Sequence, residues 1–390
     1  MSRRVVIAAG LAALALVAIS LATARAEDAD PFARVLDALA VVVGVVLVLR
    51  ANLSAIRTFV LPRATNDLIT RIVFRALRRA FDLAASPRLP YPLQDRLMAY
   101  FGPFALMALP VVWLVVVGAG YTLIFWGTGV RPMEQALVDS GSSLLTLGFD
   151  RPDGYGAQLI AFSEATIGLG LIALLIAYLP TIYGGFSRRE LLVSLLETRA
   201  GSPPSPVALL TRLWKLDGLH QLHELLGRWE LWFAELEETH TSLTALVHFR
   251  SQSADRSWVN AAGAVLDACA LVSSPVQLDR DAQVDLTLRS GRSTLRRITT
   301  VFHLPFDPEP GTEGPVRIDR ETFDRALAEL ELGGVPLVAD LEAAWRDFRA
   351  CRASYDEPLA RLEDLTVAPA PWWSQRAPAS AVAGAARMTD

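Results

Sequence analysis

Long stretches of uncharged, apolar sequence constrain most strongly what this chain can fold into. A helix needs roughly 20 apolar residues to cross the hydrocarbon core of a bilayer. In a chain of 390 residues, four windows approach this length with at most one charge each, namely residues 5–24, 38–56, 101–130 and 157–186. The second window contains Arg50 and the fourth contains Glu164. These windows predict helices that cross the membrane, and the second half of the chain has an ordinary globular composition. The sequence therefore predicts an all-α, multi-pass membrane protein with a soluble domain.

The first window has two interpretations. Basic residues precede it at positions 3 and 4, and small residues at Ala24 and Ala26 stand just before Glu27, as at a signal-peptidase site. Residues 1–26 are therefore predicted to be either an uncleaved transmembrane helix or a signal peptide. Residues 33–62 are predicted to be a transmembrane helix in either case, and the acidic residues after the first window lie outside the cell.

Arginines between the second and third windows indicate the orientation. Short cytoplasmic loops are enriched in basic residues, and this region carries Arg57, Arg63, Arg71, Arg75, Arg78, Arg79, Arg88 and Arg96. The basic segment 63–100 is therefore expected in the cytoplasm, together with everything after about residue 187. An Ala-, Arg- and Leu-rich composition suggests the bacterial inner membrane. Within the segment, residues 66–83 predict an amphipathic helix, either on the anionic inner leaflet or against the soluble domain.

A short polar phrase separates the third and fourth windows. The sequence MEQALVDSGSSLL, after Pro132, predicts a helix of about a dozen residues with Glu134 in its first turn. Such a helix cannot span a bilayer, so the segment must enter and return. Irregular backbone at membrane depth persists only where it is buried in protein or lines a wet cavity. The TLGF that follows therefore predicts a cation pore loop, in which carbonyl groups and the Thr146 hydroxyl replace the hydration shell of an ion.

Over residues 101–190, this order of outer helix, short helix, Thr-x-Gly-aromatic phrase and inner helix resembles the pore domain of the tetrameric potassium channel family. The resemblance implies a pore domain at residues 101–186 and a pore helix that carries Ser142 and Ser143. It also implies a selectivity filter of Thr146, Leu147, Gly148, Phe149 and Asp150. A homotetramer follows from one pore loop per chain, with potassium as the permeant monovalent cation and no other cofactor.

One departure from the family pattern bears on selectivity. The family filter has a second glycine after the aromatic residue, and here that position holds Asp150. Glycine normally supplies a left-handed backbone conformation that a side chain resists, and aspartate is among the better-tolerated alternatives. Asp150 is therefore expected either to adopt that conformation or to leave the filter reshaped and less selective.

The fourth window is the inner helix of the predicted pore domain. Three of its residues are candidates for a hinge or gate, or alternatively for close helix packing: Gly168, Gly170 and Pro180. Glu164 is a candidate functional residue because acids inside a membrane are costly. It is expected either to bond to the pore helix behind the filter, through Ser142 or Ser143, or to lie in interfacial water.

Residues 187–365 predict a helical cytoplasmic domain. Apolar residues recur at helical spacing over about 207–248, and further helical patterns cover about 255–273, 281–302, 319–332 and 337–365. His220 and His223 stand three residues apart, a spacing that can serve a metal, with Glu224 or Glu238 as further ligands, but no fixed set of three or four ligands emerges and no metal site is predicted. No catalytic arrangement is recognisable, and a net charge of −4 gives no indication of a nucleic-acid partner. Residues 366–390 are predicted to be disordered, with Trp372 and Trp373 either docked or at the membrane interface.

Two functions stay open at the level of sequence. The first is a tetrameric cation channel, permeable to potassium, whose pore is regulated by the cytoplasmic domain. The second is a non-conducting scaffold or sensor that retains a degenerate pore fold, which the missing filter glycine favours. No window carries an arginine repeat of the voltage-sensor type, so gating by voltage is not expected.

Overall fold

The structure is a computed structural model that describes residues 31–59, 67–85, 89–216, 218, 221–311 and 314–374. The possible signal peptide or helix at residues 1–26 lies outside these ranges. Within them the fold is helical, and the β-type pairing is an isolated bridge between Val276 and Leu337. The helices are α1 (Pro31–Phe59), α2 (Leu68–Ala84), α3 (Tyr91–Ala99), α4 (Phe101–Gly127), α5 (Met133–Leu144), α6 (Tyr155–Ala200), α7 (Pro206–Lys215), α8 (Leu222–Ser242), α9 (Trp258–Ser273), α10 (Ala282–Val301), α11 (Arg320–Leu332) and α12 (Leu341–Thr366).

Three stretches are long and apolar enough to cross a membrane, namely Pro31–Phe59, Tyr91–Gly127 and Tyr155–Ala200. They coincide with the second, third and fourth windows, so the all-helical fold and these three apolar helices are confirmed. At 46 residues, α6 is about 69 Å long, more than twice the thickness of a hydrocarbon core of roughly 30 Å. The chain divides into two compact units, residues 1–83 with 103–182 and residues 84–102 with 183–390.

Glycine allows α1 and α4 of the first unit to approach closely. A Cβ atom at Gly44 would lie 2.4 Å from the carbonyl oxygen of Gly120, and one at Gly127 would lie 2.5 Å from that of Asp37. Both distances are far below van der Waals contact, so a side chain at either position would separate the helices. Small residues at helix crossings are usual in membrane proteins, where packing drives association.

One face of α2 packs against the first unit. Val73 is buried, and Ile69, Phe74 and Leu77 lie against the apolar core of that unit. The opposite face exposes basic and large apolar side chains together: Leu68, Arg71, Ile72, Arg75, Arg79 and Leu83. The amphipathic pattern of residues 66–83 is therefore divided between a packed apolar face and a basic face of the composition typical of interfacial helices.

The second unit is a helical bundle with polar caps at several helix starts. Ser257 accepts a hydrogen bond from the Asn260 amide at the start of α9, and Asp340 accepts one from the Ala343 amide at the start of α12. Four predicted helical patterns have counterparts in α9 to α12. The pattern at residues 207–248 does not form one helix: it divides into α7, α8 and a 3₁₀ helix at Thr244–His248. The chain turns at Gly218, whose N–H donates to the Leu213 carbonyl at 2.7 Å.

Part of the segment predicted to be disordered is ordered. Trp372 Nε1 donates to Asp267 Oδ2 at 2.8 Å, and Asn260 Nδ2 donates to the Pro369 carbonyl oxygen at 2.9 Å. The ring of Trp373 lies 4.4 Å from the guanidinium carbon of Arg352. Trp372 and Trp373 were expected either to dock on the protein or to lie at the membrane interface, and the structure shows them docked on the bundle. Residues 375–390 lie outside the described ranges.

A buried arginine fixes the C-terminal part of α6 within the second unit. Arg189 is 3% exposed and donates to the carbonyl oxygens of Leu246 and Phe249 at 3.1 and 2.6 Å. Its guanidinium also lies 3.2 Å from Nε2 of His240. Because arginine only donates hydrogen bonds, this nitrogen of His240 is the acceptor. The imidazole is then neutral, with its proton on Nδ1 facing the Leu236 carbonyl at 3.0 Å.

This arrangement predicts a pH dependence of stability. Burial and the adjacent charge of Arg189 lower the pKa of His240 well below its usual value of 6.5. Below about pH 6.5 the unfolded chain binds a proton that the folded chain does not, so the stabilisation is complete above that pH and declines as the pH falls. We expect the free energy of unfolding, measured with urea, to fall by about 1 kcal/mol more between pH 7.5 and 5.5 in wild type than in His240→Gln.

Thr300→Ala is the matched control, because the exposed Thr300 hydroxyl donates within its own helix to the Arg296 carbonyl oxygen at 2.8 Å and does not ionise in this pH range. It should keep the wild-type slope over this range. An unchanged slope in His240→Gln would show that His240 does not titrate differently in the two states.

Candidate functional site

A short helix, α5, lies between the two long helices of the first unit. It begins after Pro132, which has an extended backbone at the N-cap position, and carries Glu134 in its first turn. It ends at Leu144 after 12 residues, a length of about 18 Å that is too short to span a bilayer. Residues 145–154, here named the α5–α6 loop, then lead to α6.

Backbone hydrogen bonds fold the start of the α5–α6 loop back onto α5. The Leu147 amide donates to the Ser142 carbonyl at 2.9 Å, and the Thr146 amide donates to the Ser143 carbonyl at 3.1 Å. This tight turn requires left-handed backbone at two positions, with φ of +55° at Thr146 and +68° at Gly148. Glycine at position 148 therefore supplies a left-handed backbone conformation that residues with a side chain resist. Asp150 was expected either to adopt the left-handed conformation of the family's second glycine or to leave the filter reshaped. Asp150 does not adopt the left-handed conformation.

Side chains of α5 hold the far end of the loop. Ser142 Oγ donates to the Asp150 carbonyl oxygen and accepts from the Asp150 amide, both at 3.1 Å. Gln135 Nε2 donates to Asp150 Oδ2 at 2.7 Å and to Asp139 Oδ1 at 3.0 Å. One buried serine and one glutamine therefore fasten both the backbone and the carboxylate of Asp150 to the helix.

Between these two attachments the loop is open. Thr146, Leu147, Gly148 and Phe149 are all exposed, with Leu147 at 59% and Phe149 at 68%. Among the described residues, none donates a hydrogen bond to the carbonyl oxygens of these four positions. The Thr146 hydroxyl donates to the Leu145 carbonyl at 2.8 Å and keeps its own lone pairs. Up to four backbone carbonyls per chain are therefore available as ligands.

A buried acid connects the three helices around this site. Glu164 of α6 is 0% exposed and accepts from Ser140 Oγ at 2.6 Å, while the same hydroxyl lies 3.1 Å from the Gly118 carbonyl of α4. The predicted bond to α5 exists, but its partner is Ser140. Ser142 instead contacts Asp150, and Ser143 donates to the Asp139 carbonyl of its own helix at 2.8 Å. The alternative of interfacial water does not fit a fully buried Glu164.

The candidate hinge residues differ in their surroundings. A Cβ atom at Gly168 would lie 2.3 Å from the Leu144 carbonyl oxygen, so glycine at this position allows α6 to pack on the end of α5. Nothing lies within 4 Å of a Cβ atom at Gly170. Pro180 lies inside α6, which continues as a helix beyond it. Packing therefore explains Gly168, whereas Gly170 and Pro180 stay candidates for a hinge.

Sequence reasoning missed Gln135, Ser140 and Gly118 as members of this site. Gln135 precedes Asp139 by one helical turn, and this i, i+4 spacing was the available signal for the first of them. Gly118 contributes only a backbone oxygen, which leaves no signature in the sequence.

No family model, characterised protein or solved structure matches this chain. The fold and the site define an all-helical protein with three helices long and apolar enough to cross a membrane. They also define a short helix between the second and third of these, with an exposed loop fastened behind it. Among the described residues, no group of three or more His, Cys, Asp or Glu side chains is placed to hold a metal ion.

Proposed function

We propose that the protein is a tetrameric cation channel of potassium-channel type, with the α5–α6 loop as its selectivity filter. The observation that carries the proposal is the loop itself. Exposed residues 146–149 offer carbonyl oxygens without hydrogen-bond donors among the described residues, and both ends of this segment are fastened to α5. In potassium-selective filters, rings of backbone carbonyl oxygens replace the hydration shell of the ion.

Four chains around one axis would complete the ion site. A single chain surrounds an ion on one side only, and four copies of one loop form a ring with cyclic symmetry. Leu147 and Phe149 are exposed in the single chain, and contacts between subunits would remove such apolar side chains from water.

The proposed topology follows from the positions of the arginines. Basic residues of α2 and Arg188 with Arg189 near the C-terminal part of α6 favour the cytoplasmic side. The α5–α6 loop would then face outward, and the helical bundle of the second unit would lie in the cytoplasm of a bacterial cell as a regulatory domain. The continuous helix α6 would carry movement from that bundle towards the loop.

Flux through liposomes tests this function. Purified protein is reconstituted, and potassium and sodium uptake are measured separately under varied pH, tension and divalent-ion concentration. Potassium flux well above that of empty vesicles supports a channel. A complete absence of flux under every condition would contradict it.

A matched serine pair sharpens the test of the loop. In Ser142→Ala the Asp150 backbone loses both of its bonds to α5, each worth about 1 kcal/mol. We expect the ratio of potassium to sodium flux to fall by roughly tenfold, since about 1.4 kcal/mol corresponds to a factor of ten. Ser143→Ala removes only a bond within the helix and should preserve the ratio. If both variants had the same ratio of potassium to sodium flux, the attachment of Asp150 to α5 would not determine selectivity.

The alternative is a non-conducting scaffold or sensor that keeps this architecture. The observation in its favour is that residue 150 is aspartate in an ordinary, right-handed or extended conformation. A filter without a left-handed residue at that point differs from the family pattern. Wild type that stays silent, together with an Asp150→Gly variant that conducts, would favour this second function.

A further inference from the structure

Three arginines of α2 form one exposed row. Arg71, Arg75 and Arg79, here named the arginine row, are four residues apart and all exposed. With 3.6 residues per turn they fall within a sector of about 80° on the helix. Arg78, at the edge of this row, is paired with Asp82 at 2.8 Å. Within the part of the chain that the structure describes, the guanidinium groups of the row form no ion pair or hydrogen bond. The row therefore presents three positive charges that no carboxylate of these residues pairs with.

Large apolar side chains occupy the next sector of the same exposed surface. Leu68, Ile72 and Leu83, here named the apolar sector, are 52%, 55% and 82% exposed. They fall within about 60° of one another, between the arginine row and the buried side of α2 at Val73. Single exposed apolar residues are ordinary, but a group of them beside basic residues marks an interaction surface. Helices that lie in a membrane interface combine arginine and leucine-type residues in this way.

Hydrogen bonds attach the start of α2 to the last turns of α1. Ser54 Oγ donates to Asp67 Oδ2, and Thr58 Oγ1 lies 2.9 Å from Thr70 Oγ1. Helix α1 is long and apolar enough to cross a membrane, and its 29 residues extend about 44 Å. The hydrocarbon core is roughly 30 Å thick, so the ends of a spanning helix of this length reach the boundaries of the bilayer. An α2 helix attached to one of these ends lies where lipid headgroups are.

The presence of both sectors favours a phospholipid over a soluble anion. A phosphate ion or a nucleic-acid backbone would bind to the arginine row and leave the apolar sector in water. A phospholipid provides a phosphodiester group, which guanidinium groups bind through two parallel hydrogen bonds. Its acyl chains also remove exposed apolar side chains from water. A net negative headgroup adds the attraction that three unpaired positive charges require.

We propose that the arginine row and the apolar sector of α2 together form a binding site for anionic phospholipid. The arginine row would bind the headgroup phosphates, and the apolar sector would contact the upper part of the acyl chains. The inference rests on the apolar helices of the first unit and does not depend on the proposed channel function. Each basic residue near an anionic membrane surface contributes about a factor of five to binding. Loss of the whole row should therefore weaken binding by roughly 100-fold.

Native mass spectrometry of the full chain in detergent tests the proposal. The protein is titrated with phosphatidylglycerol or phosphatidylcholine, and the apparent dissociation constant of the first bound lipid is measured. Wild type is expected to prefer phosphatidylglycerol. In the triple variant Arg71→Gln, Arg75→Gln and Arg79→Gln, the affinity for phosphatidylglycerol should fall by roughly 100-fold and the preference should be lost. Ile72→Ser should weaken the binding of both lipids by a similar factor, because acyl chains are common to both.

The control is a triple variant with the same chemistry at exposed positions of the second unit, Arg289→Gln, Arg292→Gln and Arg346→Gln. Surface substitutions of this kind change stability little, so both triple variants should fold, and the control should keep the wild-type affinity. Equal affinity of wild type for the two lipids, or an arginine-row variant that binds phosphatidylglycerol as wild type does, would overturn the proposal.

Two further outcomes would assign the face to another occupant and overturn the proposal as well. In the first, inorganic phosphate or an oligonucleotide displaces phosphatidylglycerol from wild type, and Ile72→Ser has no effect, as expected for a soluble anion. In the second, the arginine-row variant forms smaller oligomers than wild type on gel filtration without added lipid. That result would show that a second copy of the chain covers this face.

Discussion

Replacement of Gly148 by alanine is expected to reduce potassium flux into liposomes by at least about 100-fold. Gly148 has φ of +68°, and no atom lies within 4 Å of the position that a Cβ atom would take. The cost of alanine is therefore a backbone cost, roughly 1–2 kcal/mol for an L-residue in the left-handed region. In the proposed tetramer this cost applies four times, about 4–8 kcal/mol in all, and each 1.4 kcal/mol corresponds to a factor of ten in the population of the intact filter.

Gly141→Ala is the control for this measurement. Gly141 lies inside α5, where nothing is within 4 Å of a Cβ atom and the backbone is helical. Alanine there is expected to favour the helix by roughly 0.5–1 kcal/mol and to leave flux unchanged. If Gly148→Ala conducted as well as Gly141→Ala, the loop would not be the ion path. If both variants lost flux while still forming normal tetramers on gel filtration, the flux would depend on changes in α5, and the loss in Gly148→Ala could not be assigned to the loop.

The helices of this protein could be predicted from local patterns. Apolar windows with at most one charge each identified α1, α4 and α6, because a helix that crosses a bilayer needs a long apolar run. The short α5 followed from Pro132, Glu134 and the length of the phrase between two windows. In the second unit, periodic apolar residues predicted α9 to α12 within a few residues of their observed bounds.

The contacts of the candidate site were much less predictable. Periodicity indicates which residues share a face, but it does not say which serine of α5 faces α6. Ser140 rather than Ser142 meets Glu164, because that choice depends on how the helices cross. The same limit applies to Trp372, whose partner Asp267 lies 105 residues earlier in the chain. Composition indicated disorder for that region, whereas a tertiary hydrogen bond orders it.

That tertiary bond belongs to a buried ionic network within the bundle. Arg352 is 0% exposed and forms ion pairs with Asp267 and, at 2.9 Å, with Asp356. Asp267 is also 0% exposed and accepts from the Tyr355 hydroxyl and from Trp372 Nε1, both at 2.8 Å. One carboxylate thus joins α9, α12 and the stretch after α12. Three donors satisfy the carboxylate, and among them the charge is carried by Arg352, so removal of Arg352 leaves the charge of Asp267 buried without this counter-ion.

Arg352→Met is therefore expected to lower the free energy of unfolding of the second unit by about 3–5 kcal/mol, the usual consequence of leaving one partner of a buried ion pair alone. Urea unfolding of the full chain in detergent, followed by tryptophan fluorescence, measures it. Arg346→Met, at an exposed position of the same helix, should stay within about 0.5 kcal/mol of wild type.

A double variant distinguishes the net contribution of the ion pair to stability from the cost of leaving one partner buried without the other. Because well-packed apolar residues often replace a buried ion pair without loss, Arg352→Met with Asp267→Leu should recover a large part of the stability lost in Arg352→Met alone. The coupling energy of the pair is the loss of stability in the double variant minus the sum of the losses in the two single variants. If both single changes cost less than about 1 kcal/mol, Arg352 and Asp267 would be solvated in solution and the network would not hold the bundle. If the double variant were as unstable as the sum of the two single variants, the energy would lie in contacts with Tyr355, Asp356 and Trp372 rather than in the pair.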